Sequence, residues 1–261
     1  MSNVLLNSER ESRKNVVIVT TTLYNPDNPV DNVRERLAKR MIHEATKIGY
    51  EVVVVDGGSP SETLRYFESC GARVYQQKRR GMGTQRREAI SYGYDIGVPV
   101  IAWMEPEKVP YISQLSKTAN PIVKDEAELV IPRRIPVSLD SYPTYQRDIE
   151  FFVNKYFRKL TGKDLDVFFG PRTWSRELSH YFLEYQDDRW GDKWDSIFLP
   201  LLSIIRDGHR LASADVAYEH PREQTLQEED DLSLYKKRAE QAFMMVDSLG
   251  TYWKELESRL N

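Results

Sequence analysis

Val16–Asn25 (VVIVTTTLYN) and Glu51–Ser59 (EVVVVDGGS) decide the fold. Each is a β-branched run that stops abruptly at polar, loop-forming residues, and a helical pattern lies between them. A continuous apolar run ending at Asp56-Gly57-Gly58-Ser59 reads as a strand buried on both faces. Such a strand delivers its carboxylate to the C-terminal edge of a parallel sheet, where open α/β sheets bind ligands. The expectation is an enzyme that grips a nucleotide at that edge.

The flanking sequence extends the pattern. Val16–Thr22 is the first strand. Pro29 and Asp31 open a helix with Val33, Leu37, Met41, Ile42, Ala45 and Ile48 at helical spacing, and Gly49 stops it. Val52–Val55 is the second strand. Ser61 caps a short helix with Leu64 and Phe67 inward, Ala72–Tyr75 is a third strand, Thr84–Tyr94 a helix and Val98–Met104 a fourth strand. Strands alternating with helices predict a mostly parallel central sheet flanked by helices, with right-handed crossovers.

Beyond a further strand at Leu129–Ile131 the pattern changes. Thr144–Leu160 reads as an amphipathic helix (Ile149, Phe152, Val153, Tyr156, Phe157, Leu160), and Val167–Trp174 as an irregular aromatic stretch forming core or an acceptor-pocket wall. A helix from Trp194 to Arg206 and a strand at Leu211–Tyr218 follow. Glu223–Asp231 reads as an acidic exposed link, and Leu232–Leu260 as a terminal helix without assigned chemistry that packs on the domain or on a partner subunit. The domain reading is a loose 1–14, one α/β domain over 15–221, and a linker with helix over 222–261.

The 261 residues are enough to bury a core without staples. Cys70 is the only cysteine, so no intrachain disulfide forms and a reducing compartment is expected. A net charge of −3 argues against a nucleic-acid partner, although Lys78-Arg79-Arg80 and Arg133-Arg134 are local cationic spots. No apolar run approaches the ~20 residues of a membrane span, so a cytoplasmic protein is expected.

The loop after the first strand has no glycine, which removes the dinucleotide fingerprint, and Gly162-Lys163 lacks the context of a P-loop. Other positions carry chemistry. Asp56 can accept hydrogen bonds from a base or ribose, or cap its own glycine turn. Gly81, Gly83 and Arg86 (GMGTQR) combine close backbone approach, a helix N-terminus and a planar cation fit for a diphosphate, or form a glycine turn with solvated arginines. Glu105 and Glu107 (WMEPEK) end the fourth strand and can hold a hard divalent cation against a diphosphate, with His220 as a further ligand; an acidic loop is the plainer alternative. Asp192 and Asp195 (WGDKWD) enter a helix, where Asp195 serves as a cap or as a general base with a raised pKa.

Taken in this order, the pieces resemble the nucleotide-sugar glycosyltransferases of the GT-A fold, in the family-2-like group of dolichyl-phosphate mannose synthases and glycerate-type sugar transferases. The resemblance covers about residues 15–221. It implies that Thr20, Thr21, Thr22 and Tyr24 line the base pocket and that Asp56 matches the first acid of the Asp-Asp-Gly-Ser motif. It also places Arg86 near the diphosphate and WMEPEK where the metal-binding Asp-x-Asp stands, and makes Asp195, in the acidic acceptor-site motif, the nearest fit to a catalytic base. His220, in Tyr218-Glu219-His220-Pro221, falls where several members have a metal-reaching histidine. Gly57 replaces the second acid, and two glutamates replace the two aspartates.

The implied activity is Mn2+- or Mg2+-dependent transfer from a UDP- or GDP-sugar to a small or lipid-phosphate acceptor. The terminal helix is a candidate homodimer contact. A catalytically silent sugar-nucleotide-binding protein and a sugar-phosphate nucleotidyltransferase are the alternatives.

Overall fold

The computed structural model describes residues 12–229 and 232–259. Its strands are β1 Val16–Thr22, β2 Glu51–Asp56, β3 Arg73–Gln76, β4 Val100–Trp103, β5 Leu129–Arg134, β6 Arg172–Ser175 and β7 Leu211–Val216. They form one sheet in the order β3-β2-β1-β4-β6-β5-β7. β1 runs parallel to β2 and β4, β2 to β3, and β5 to β7. β6 alone is antiparallel to both its neighbours. The parallel strands β1, β2 and β4 therefore release their loops on one edge.

The helices are α1 Pro29–Lys47, α2 Ser61–Ser69, α3 Met82–Ile96, α4 Leu115–Val123, α5 Pro136–Leu139, α6 Thr144–Thr161, α7 Ser179–Glu184, α8 Asp195–Arg206, α9 Arg222–Glu228 and α10 Leu232–Ser258. Because side chains alternate along a strand, the β1 and β2 valines supply both faces. Ile18, Val52 and Val54 pack with Leu37 and Met41 of α1, Phe67 of α2 and Leu115 of α4. Val17, Val19, Val53 and Val55 share the opposite core with Ile90 of α3, Phe157 of α6, Leu202 of α8 and Leu249 of α10.

Several expectations are corrected. The start of α2 follows Pro60, and no side chain caps it, so Ser61 is the first helical residue. α1, by contrast, does open at Pro29 as read, and Asn28 caps it by accepting from Val30 N–H. Phe152 is exposed on α6 instead of facing the core. The aromatic stretch ends in β6, which begins at Arg172. Of the N-terminal segment expected to be loose, residues 1–11 lie outside the described residues, while Ser12 bonds Asn120 (2.9 Å). The acidic link is largely helix α9, with Gln224 and Glu228 buried. Residues 230 and 231 and the last two residues lie outside the described ones.

Candidate active site

Parallel register sets Thr22 opposite Asp56 at the tips of β1 and β2. Thr22 Oγ1 donates to Asp56 Oδ2 (2.7 Å), and the N–H groups of Gly58 and Ser59 each donate to Oδ1 at 2.8 Å. Ser59 Oγ also donates to Oδ2 (2.5 Å). Asp56 is fully buried, and the turn-forming reading is the one its contacts realise. Thr20 is buried with its hydroxyl unpartnered, and Thr21 is half-buried. The Tyr24 hydroxyl is buried without a partner, and burial together with Glu107 raises its pKa well above the usual phenol value.

The glycine-rich segment opens α3. Gly81 precedes the helix at φ 125°, a conformation that favours glycine. Gly83 N–H donates to the Asp192 carbonyl (2.8 Å), and a Cβ at Gly83 would overlap the Asp192 side chain. Asp192 in turn receives Arg87 through both carboxylate oxygens at 2.6 Å. Asp195, the first residue of α8, accepts from Lys193 N–H (2.7 Å) and Tyr185 O–H (2.9 Å), and burial raises its pKa. Asp192 thus holds the 187–195 loop against α3, while Asp195 ties the end of that loop to Tyr185. The catalytic role expected of Asp192 and Asp195 meets carboxylates already engaged by protein donors.

Arg86 is what that loop positions. Its Nη1 donates to the Lys193 carbonyl and lies 3.3 Å from Ser196 Oγ, while its Nε is buried without a partner. Burial lowers its pKa to about 10, against the pull of Glu105 and Asp195. Its guanidinium lies over the Trp103 ring, 5.4 Å from the centroid.

A cleft beside Arg86 has an open volume of about 1060 Å³, including solvent at its mouth. Of the residues singled out in the sequence, Arg86, Glu105 and Glu107 line it. Glu105 presses against Gly170, where any Cβ would overlap its carboxylate, and its Oε2 is buried and unpartnered. Arg172, buried behind it, donates to the carbonyls of Gly170 (2.7 Å) and Val167 (2.8 Å). Burial raises the pKa of Glu107, partly offset by Arg34 at 4.0 Å. Opposite, Arg134 pairs with Glu150 (2.6 Å) and binds Asp166 through two nitrogens at 2.8 Å. Burial disfavours its charge, yet Asp166 and Glu150 hold its pKa well above the ordinary value.

His220 is a correction. A proline neighbour at a strand exit predicts exposure, but His220 is 2% exposed beneath the Tyr142 ring (centroids 4.4 Å apart). Its Nδ1 is 3.0 Å from Thr225 Oγ1. It borders a second pocket with Leu37, Val109 and Arg222, and Tyr142, which covers its ring, also lines the cleft that holds Glu107. Burial, with Lys108 and Arg238 nearby, lowers its pKa to about 2. Among the described residues no three His, Cys, Asp or Glu side chains gather as a metal site. The cleft's pair of glutamates, one with an orphaned buried oxygen, does fit a cation whose remaining ligands are phosphate oxygens and water.

Sequence reading missed much of the wall. Arg34 of α1, Tyr142, Gln146 and Glu150 around α6, Gln224 and Glu228 of α9, and Arg238 of α10 all line the cleft. Two parts of the wall did carry a signal: Arg134, as half of the Arg133-Arg134 pair, and Phe168, Phe169 and Gly170, within the aromatic stretch read as core or acceptor-pocket wall. The terminal helix, to which no chemistry was assigned, supplies part of the wall. Among the described residues no helix is long and apolar enough to cross a membrane.

Comparison with known proteins places this arrangement. The model of the family described as glycosyl transferase family 2 matches residues 17–181. A curated relative, Glycosyltransferase AglJ of Haloferax volcanii, is 25% identical over 127 residues, 48% of this chain and 41% of the relative. The chain therefore spans about two fifths of that relative's length. Among solved structures, the chain resembles the glucosyl-3-phosphoglycerate synthase of Mycobacterium tuberculosis. The TM-score is 0.65 at 15% identity, covering 95% of this chain and 84% of that one. The same enzyme in complex with Mn2+, UDP-glucose and phosphoglyceric acid gives a TM-score of 0.63, again at 15% identity, over 94% and 83% of the two chains. At this identity the likeness shows the shared GT-A fold.

Proposed function

The chain belongs to glycosyl transferase family 2, and from that premise we propose that it moves a sugar from a nucleoside-diphosphate sugar to a hydroxyl acceptor held in the cleft. One observation carries the reading: Arg86, Glu105 and Glu107 meet on one cleft wall at the C-terminal edge of the sheet, with Arg86 Nε and Glu105 Oε2 buried and unpartnered. A donor diphosphate supplies the acceptor that Arg86 Nε lacks.

In this reading the base and ribose lie over the β1 and β2 loops. The Thr22–Asp56–Ser59 network and Tyr24 stiffen the floor, and Leu23 stands exposed beside Gly57 and Gly58. Thr20 and Thr21 extend that floor along β1, and Gly81 and Gly83 shape the turn beside it. Asp195 acts as a positioning residue: it holds Lys193 N–H, and the Lys193 carbonyl holds Arg86. Asp192 anchors the same loop through Arg87.

Glu105 and Glu107 would hold Mn2+ or Mg2+, and the structural neighbour is likewise found in complex with Mn2+ and UDP-glucose. When bound to the two glutamates, the cation would supply positive charge to neutralise the leaving diphosphate. In the transfer, the bond from the anomeric carbon to the diphosphate breaks and one to the acceptor oxygen forms. The acceptor proton is released. Arg86 stabilises the charge that develops on the departing oxygen.

The cleft is lined by Arg34, Lys108, Arg134, Gln146, Gln224 and Glu228, which suits a small polar acceptor better than a lipid chain. A homodimer would use the apolar side chain of Phe243 that α10 leaves exposed. The test is a release assay with UDP- and GDP-sugars, with and without Mn2+. The reading expects metal-stimulated diphosphate release from one of them, and no release from any donor contradicts it.

A further inference from the structure

The cleft wall made by α6 and α9 carries two matched amide–carboxylate pairs. Gln146 Nε2 donates to Glu150 Oε1 (2.6 Å), and Gln224 Nε2 donates to Glu228 Oε1 (3.0 Å). A carboxylate only accepts, so each amide must present its nitrogen to it, and the orientation of each glutamine is fixed. Glu150 Oε2 is ion-paired with Arg134 (2.6 Å), and what remains are Gln146 Oε1, Gln224 Oε1 and Glu228 Oε2, three buried acceptors with no donor. The three residues are 3%, 8% and 2% exposed, and all line the cleft. A buried acceptor left unpaired costs on the order of 1–3 kcal/mol, so a group of three calls for donors from a ligand.

We propose that this wall is a subsite for a hydroxyl-rich acceptor unit, a sugar or sugar-like polyol, whose O–H groups donate to Gln146, Gln224 and Glu228. Phosphate or carboxylate groups cannot fill the role, because they are acceptors themselves. An anionic acceptor with few hydroxyls, such as the phosphoglyceric acid bound by the structural neighbour, would leave the three oxygens unsatisfied. The cations Arg34, Lys237 and Arg238 border the same end of the cleft, so a charged substituent on the polyol is tolerated. The subsite rests on the transferase reading for calling its ligand the acceptor; hydroxyl binding itself does not.

The test follows the side-chain amide resonances of Gln146 and Gln224 by NMR in the full chain. The probes are methyl α-D-glucopyranoside and 3-phosphoglycerate, each added with and without UDP and Mg2+. The expected result is saturable shifts of both amides with the glucoside and none with 3-phosphoglycerate. Gln224→Leu and Gln146→Leu should each weaken glucoside binding about tenfold, the equivalent of one hydrogen bond. Should either variant fail to fold, the wild-type titration decides alone. Absence of saturable shifts with the glucoside, or shifts with 3-phosphoglycerate only, overturns the subsite and leaves water as the donor. Glucoside shifts without any nucleotide binding would sustain the subsite while removing the transferase reading.

Discussion

Gly83 and Asp192 interlock. The amide of one donates to the carbonyl of the other at 2.8 Å, and the missing Cβ of Gly83 is the space that the Asp192 carboxyl occupies. This contact seats the 187–195 loop on α3, and through Lys193 it sets Arg86. Gly83→Ala must therefore displace the loop. The expected cost is about 1–3 kcal/mol of stability, as for other overpacked contacts, with a changed emission from Trp190 and Trp194. Denaturant unfolding and tryptophan fluorescence measure both. A variant as stable as wild type with unchanged emission would show that the loop is not seated this way.

Arg86 separates charge from geometry. Arg86→Lys keeps the cation but loses the planar fork and the donor to Lys193, so donor affinity should fall about tenfold or more. Arg86→Met, without charge, should fall further. Equal affinities for wild type and both variants in a nucleotide titration would remove Arg86 from the diphosphate site.

His220 fixes part of the acid response. Its folded pKa, about 2, lies below the ordinary 6.5, so the unfolded chain binds the proton more tightly. The stability it contributes is complete above pH 6.5 and is lost as pH falls toward 2, at up to about 1.4 kcal/mol per pH unit. His220→Gln should flatten stability between pH 6.5 and 4. An unchanged slope would mean that the imidazole is freely protonated in the fold.

The buried Arg134 is held by Asp166 and Glu150. Asp166→Asn leaves its charge underpaired and should cost roughly 3–5 kcal/mol, far more than a surface pair. Thermal unfolding measures it, and a change below about 1 kcal/mol would contradict this role.

The half of the fold made of β1, β2, β4 and α1 was legible because burial on both faces writes a continuous valine run, as in Val52–Val55. β6 was hidden: its four residues sit among aromatics, and its antiparallel pairing with β4 and β5 comes from contacts remote in sequence. α9 looked like an exposed link because its charges are readable and their partners are not. Glu228 is buried only because Arg34 of α1 comes within 3.8 Å and Gln224 bonds it. For His220 the following proline suggested a solvent exit, whereas Tyr142, distant in sequence, closes over the ring. Within the site, Arg86, Glu105 and Glu107 were readable because strand tips and glycine turns mark them. The α6, α9 and α10 wall was not, since ordinary glutamines and arginines on helices carry no local sign of facing a cleft.

The central claim is that Arg86, Glu105 and Glu107 form one donor site, and calorimetric titration tests it most directly. UDP and GDP would be titrated into the wild type, Arg86→Met and Glu107→Gln, each with and without Mn2+. The account predicts that one nucleotide binds the wild type more tightly with Mn2+, that Arg86→Met weakens binding in both conditions, and that Glu107→Gln loses the Mn2+ enhancement alone. Binding that is indifferent to both substitutions, or no binding of either nucleotide to the wild type, would contradict it.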